Sequence, residues 1–264
     1  MGIRPESSSH WYDRNGNPCY EVPRASGEGM KPTTLREARI MHLLPSVTSV
    51  LSIVRKPYLE AWKADQYLGV SCEFPEATKE EVIEIAETRM AEARDTGSLY
   101  HAEIERIVLN LIDGGTVEPE DYEMPEETIR AFIEWYRRFK LRPRWVERPF
   151  ACSAGYGGRI DCEGTSFLGD GPGTYYTVID WKTQATKQNK PFRTYPEWAV
   201  QLAAYAYGIN RPDALLVSVC ISTTEPGRIE HFPWPRDENE DNYQAFLDAF
   251  AVWRGPLGKN FDPR

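Results

Sequence analysis

The sequence predicts an α/β fold: a central mixed β-sheet flanked by helices, with a helical region ahead of it. Three observations predict it. Amphipathic segments fill the first half of the 264 residues, and strand-like runs take over after Pro143. One Ala-rich helical segment then interrupts those strands. With 41% hydrophobic residues, a chain of this length can bury a full core.

Residues 1–44 read as an N-terminal hairpin and arm, because Asn15-Gly16 in HWYDRNGNPCYEV is a tight-turn pair between short strand-like runs. Pro23 to Lys31 reads as a polar, glycine-containing loop. Residues 45–264 read as one domain, with 45–141 helical and 142–264 carrying the sheet. Ser46 is placed to cap a short helix, and Pro57 to open PYLEAWKADQYL. Thr78 begins a long helix that runs to Ile112, with acids in its first turn. Gly97 is its one interruption and marks a kink or a close approach. PEETIRAFIEWYRRFK is a further amphipathic helix.

The strands follow as RWVERPFACS, YGGRIDCEG and TYYTVIDWKT. A helix, YPEWAVQLAAYAYGI, separates them from DALLVSVCIS and GRIEHFPWP, and NYQAFLDAFAVWR closes the chain as a helix. Between two strands, FLGDGPGT is a glycine-rich turn that lacks the Gly-Lys-Ser/Thr ending of a phosphate-cradling loop.

Composition removes several functional classes. No stretch reaches the apolar length of a membrane span, so no membrane partner is expected. MGIRPESSSHWYDRNG has no apolar signal core, so neither secretion nor organelle import is indicated and a cytoplasmic protein is expected. Five scattered cysteines without a C-x-x-C pair point to reduced thiols rather than zinc or iron–sulfur ligation. A net charge of −9 argues against non-specific coating of nucleic acid. It leaves room for DNA held in a local basic groove.

The chemistry gathers on TVIDWKT. Side chains alternate along a strand, so Asp180 and Lys182 share a face with Val178, while Trp181 points into the opposite layer. In GGRID, Asp161 and Arg159 share a face of the preceding strand. Two carboxylates on adjacent strands can share a hard divalent cation, Mg²⁺ or Mn²⁺. A lysine beside that ion can orient a metal-activated water. On the following helix Gln201 and Tyr205 stand four apart and project together. The bland reading of Asp180 and Lys182 is an ion pair at a strand end, and of Gln201 and Tyr205 ordinary helix packing. Trp11, Tyr12, Trp62, Trp135 and Tyr136 read as packing rather than base-stacking residues.

The order G-x-x-D, D-x-K, Q-x-x-x-Y, here GGRID, IDWKT and QLAAY, resembles the RecB-like branch of the PD-(D/E)XK nucleases. Gly97 to His101 matches the G-x-x-x-H that precedes them. LPSVTSVL…LEAW looks like the N-terminal helices of phage and mitochondrial single-strand exonucleases of that branch. The resemblance spans Pro45 to Ser222 and implies a restriction-endonuclease-like core. It implies a metal held by His101, Asp161, Asp180 and the main-chain carbonyl of Trp181, with Lys182 at the attacking water. Gln201 and Tyr205 would steady that lysine or contact the DNA backbone. The first motif lacks the literal Pro-Asp, as is usual in that branch. The chain has no cysteines after Cys220 for the iron–sulfur cluster of some relatives, so none is expected.

The implied activity is metal-dependent hydrolysis of DNA, by an exonuclease of phage-type recombination or replication, with a recombination or replication protein as partner. Arg159, Lys187, Lys190 and Arg193 are the candidate phosphate contacts, the last three lying in the basic run that follows Lys182. Glu147 is an added candidate for supporting the metal or the sheet edge. The alternatives are a non-catalytic DNA-binding accessory protein that has kept the fold, and a structural protein with ion-paired strand ends.

Overall fold

The computed structural model describes residues 10–169, 171, 173–261 and 263. At its centre is a five-stranded mixed sheet in the order β5-β6-β7-β8-β9. The strands are β5 (Arg142–Cys152), β6 (Tyr156–Ser166), β7 (Tyr175–Gln184), β8 (Leu215–Ser222) and β9 (Ile229–Pro233). All neighbours are antiparallel except β7 and β8. A parallel pair needs a crossover, and α6 (Pro196–Gly208) supplies it. Every residue of β8 is buried, as expected of a strand covered on both faces.

Two hydrophobic layers sandwich the sheet. On one face Tyr156, Ile160, Val178 and Leu216 pack against α6, the short α2 (Val47–Leu51) and α7 (Asn239–Arg254). On the other, Cys162, Ile179, Trp181 and Val219 meet α5 (Glu126–Arg138) and the second half of α4 (Lys79–Ile112). This is the helix-flanked mixed sheet that the sequence predicts. Trp181 sits edge-on to Phe132 and Trp135, buried in the layer away from Asp180.

The helix starts follow their local signals. Ser46 accepts from the Ser49 N–H, and Thr78 and Glu81 form a reciprocal capping box. Pro57 and Pro196 occupy the first helical positions of α3 (Pro57–Glu73) and α6. At about 1.5 Å per residue, the 34-residue α4 is roughly 51 Å long. Its second half belongs to the core, whereas its first half and α3 form a largely exposed helical hairpin. No helix among the described residues is long and apolar enough to cross a membrane.

The N-terminal segment differs from the expected hairpin. A turn does form at Asp13–Asn17, with Gly16 at φ +89° and a single bridge from Tyr12 to Pro18. The ladders lie elsewhere: β1 (Trp11–Tyr12) pairs with β4 (Leu44–Pro45), and β2 (Glu21–Pro23) with β3 (Met30–Pro32). The expected loop from Pro23 to Lys31 is therefore a second hairpin. A helix the sequence reading passed over, α1 (Leu35–Ile40), follows with its own capping box from Thr34 and Glu37. Trp11 is buried against Trp253 and Phe261, so a side chain from each end of the chain meets in one core. The five cysteines are free thiols at separate positions.

Candidate active site

β6 and β7 present Asp161 and Asp180 at the same level of the sheet, both buried. Cys162 pairs with Ile179, so the two carboxylates stand on adjoining residues just beyond the last paired register of these strands. Burial is the main cause that holds the Asp161 carboxyl well above its usual range, and the charges of Asp180 and Glu147 add to it. The Trp181 N–H, 2.9 Å from Asp161 Oδ2, and the Lys182 ammonium act the other way. Lys182 forms an ion pair with Asp180 Oδ2. That oxygen is buried and has no partner with hydrogen-bond geometry among the described residues.

α6 completes the arrangement from the facing layer. Gln201 Nε2 donates to Asp180 Oδ1 at 2.8 Å, while its Oε1 accepts from Lys182 Nζ at 3.3 Å. One amide thereby fixes the carboxylate and the ammonium together. Tyr205 OH lies 3.1 Å from Gln201 Nε2 and holds the amide from behind. Trp198, one turn before Gln201, puts its ring 5.3 Å from Lys182 Nζ, a cation–π contact. The sequence reading missed this residue. Its signal was the helical stripe Trp198, Gln201, Tyr205 at spacings of three and four.

Gly158 links two of the motifs physically. A Cβ there would come within 2.7 Å of the Phe150 ring and 3.0 Å of Tyr205 Cε1. The first motif's glycine therefore makes the space that the third motif's tyrosine occupies. α4 delivers His101, whose Nδ1 stands 3.7 Å from Asp161 Oδ2, beyond hydrogen-bond length. Gly97 lets the helix come this near: a Cβ there would meet Thr183 Oγ1 at 3.0 Å. The close approach holds, and α4 runs through Gly97 without a break.

Glu147 lies on β5 in the left-handed region, φ +50°, unusual for a non-glycine residue. Its carboxylate pairs with Arg159. Arg159 is thus engaged with an acid, the alternative to a phosphate contact. Lys187, Lys190 and Arg193 lie exposed in the segment between β7 and α6. The backbone of that segment is fastened by Gln184 Nε2 to Arg193 O at 2.6 Å and by Arg228 to Lys190 O. On the neighbouring strand the buried Cys220 thiol is pushed up to about 12 by burial, so it stays protonated at neutral pH.

No three His, Cys, Asp or Glu side chains among the described residues form a ready metal site. The donors present nevertheless fit a hard divalent cation. Asp161 and Asp180 are both buried, the charge of Asp180 opposes the ionisation of Asp161, and a cation beside the two carboxylates would relieve that repulsion. Two donors about 2.1 Å from one octahedral ion lie about 3 Å apart, somewhat less than the 3.7 Å from imidazole to carboxylate here.

A family model described as the PD-(D/E)XK nuclease superfamily matches residues 67–251, which contain every one of these side chains. The chain belongs to the PD-(D/E)XK nuclease superfamily. Superfamily members are generally metal-dependent nucleases that act on nucleic acid, and the mixed sheet described above agrees with their restriction-endonuclease-like fold. No curated protein matches the chain. Among solved structures, one titled "Crystal structure of SSO0001" aligns at 15% identity with a TM-score of 0.24. The alignment covers 46% of this chain and 56% of that one, little more than half its length.

Proposed function

We propose that this protein is a divalent-metal-dependent deoxyribonuclease, an exonuclease acting on single strands or DNA ends in recombination or replication alongside a protein partner. The observation that supports it most is the single Gln201 amide tying Asp180 to Lys182, with the second buried carboxylate, Asp161, beside them. A purely structural ion pair has no need of a second, opposing carboxylate, which weakens the site electrostatically.

Asp161, Asp180 and the Trp181 carbonyl would hold Mg²⁺ or Mn²⁺, with His101 at the margin. When bound, the cation supplies charge neutralisation at the phosphate and a more acidic water. Lys182, held by Gln201 and backed by Trp198, is placed to orient that water and to keep positive charge beside the phosphate as it gains negative charge. Tyr205 fixes the amide that fixes the lysine. The water oxygen bonds to phosphorus, the bond to the 3′ oxygen breaks, and the products carry a 5′-phosphate and a 3′-hydroxyl. The helices of 45–141 form the wall beside which the strand enters.

The test is a time course on 5′- and 3′-labelled single- and double-stranded DNA and on a closed circle, with Mg²⁺, Mn²⁺ or EDTA. Metal-dependent loss of the linear substrates is expected, together with survival of the circle. Asp180→Ala and Lys182→Ala should each lower the rate at least 100-fold, the scale of losing a positioned acid–base or charge-stabilising group. Full activity in either variant sinks the site.

A further inference from the structure

Charge is segregated along this chain. Between residues 57 and 96, the α3–α4 hairpin, ten carboxylates face four cations. Between Arg137 and Arg148 six cations accompany one carboxylate. This segment is more basic than the run from Lys182 to Arg193 that the sequence reading singled out. It covers the end of α5 and the first part of β5, which among the described residues is an edge strand with β6 alone beside it.

Among the described residues, only Arg148 of the six has a carboxylate in ion-pair contact, the fully buried Glu163. Arg137, Arg138, Lys140, Arg142 and Arg144 are exposed. Aromatic rings lie between them. Trp145 is 51% exposed, with the Arg148 guanidinium 5.6 Å from its ring. Phe167 is 42% exposed and carries the Lys140 ammonium at 4.8 Å. From the turn after α6, Arg211 adds a guanidinium 4.6 Å over Tyr176, whose hydroxyl also feels Arg144. Along the strand the strip leads inward: Arg148 pairs in register with Ile160, the residue before Asp161. From Arg142 to Glu147 it is about 17 Å long at about 3.3 Å per residue.

Edge strands commonly carry charges and prolines that discourage pairing with other chains, and Pro143 and Pro149 serve that end. Edge protection leaves Trp145 unexplained, because a half-exposed indole makes an edge more adhesive. Cations interleaved with accessible ring faces are what an unpaired strand of nucleic acid needs: charge for its phosphates and platforms for its bases. A duplex hides the base faces that Trp145 would stack.

We propose that the β5 edge strip, Arg142, Arg144, Trp145 and Arg148 with Lys140 and Phe167, is a binding track that leads single-stranded nucleic acid to Asp161. This deepens the nuclease reading and rests on it for the direction of the track. The probe is fluorescein-labelled (dT)20, titrated by anisotropy in EDTA so that nothing is cleaved, beside a blunt hairpin duplex of equal length. Trp145→Ala should weaken (dT)20 binding about 10-fold and duplex binding far less. Trp145→Phe should restore most of the loss. Arg142→Ala/Arg144→Ala should reduce the steepness of log affinity against log salt by about 1.4, two phosphate contacts on a single strand. Melting curves identify any variant that has lost its fold, and if Trp145→Ala is one of them, the salt slope of Arg142→Ala/Arg144→Ala at the exposed edge decides alone. Unchanged (dT)20 affinity in Trp145→Ala or an unchanged salt slope in Arg142→Ala/Arg144→Ala overturns the track, as does an equal loss on the duplex. Binding needs no cleavage, so those outcomes leave the nuclease reading standing. Intact binding without any hydrolysis removes only the nuclease reading.

Discussion

Asp161 is held by its surroundings in a way that favours its protonated form, which has a consequence for the folded protein without metal. A carboxyl whose folded value is raised contributes stability that is fully present below its unfolded value and is lost as pH rises through the folded one. Metal-free protein should therefore melt lower as pH rises out of the acid range and through the Asp161 titration. Added Mg²⁺ should restore part of the loss. Asp161→Asn keeps an oxygen for the Trp181 N–H but carries no charge. In EDTA at neutral pH it should melt higher than the parent and show less of this slope, while DNA hydrolysis disappears. A lower melting temperature for Asp161→Asn at that pH would contradict the electrostatic account. The two-residue alternation that places Asp180 and Lys182 together was readable in TVIDWKT. The contacts of Trp198 and Glu147 depend on a facing helix and a neighbouring strand, which no local pattern describes.

At the scale of elements, α4 decides how the site is assembled. Its cap, length and acidic first turn were all legible, because capping and periodicity act within a few residues. How close it comes to β7 depends on one missing methyl group at Gly97. Alanine in a helix interior is favoured over glycine by about 1 kcal/mol, but here the new Cβ would press on Thr183 Oγ1. Gly97→Ala should gain about 1 kcal/mol in a Thr183→Ala background and clearly less in the parent. Denaturant melts of the four proteins in that cycle measure the difference, and equal gains in both backgrounds would falsify the close packing. The β2–β3 hairpin and α1 escaped the sequence reading for another reason. Their strands are three residues long and the helix six, too short for periodicity to stand out.

For the whole molecule, the ends of the sequence share one core. Trp11 packs edge-on against Trp253 of α7 and against Phe261, and its strand pairs with β4 directly ahead of α2. Replacing a buried tryptophan by alanine costs about 3–5 kcal/mol. Trp11→Ala should lose stability on that scale while unfolding remains a single transition. A separate early transition would instead show the first 45 residues melting on their own. The sequence by itself determined the order of strands and helices after Pro45, the starts of α2, α3, α4 and α6, and the face on which Asp180 and Lys182 stand. These follow from backbone periodicity and capping, which are properties of neighbouring residues. Tertiary structure alone decided that β1 pairs with β4, that Arg159 is taken by Glu147 and that β5 is left as a basic edge. Such pairings join residues far apart in the chain, and only the packing of complete layers determines which of them meet.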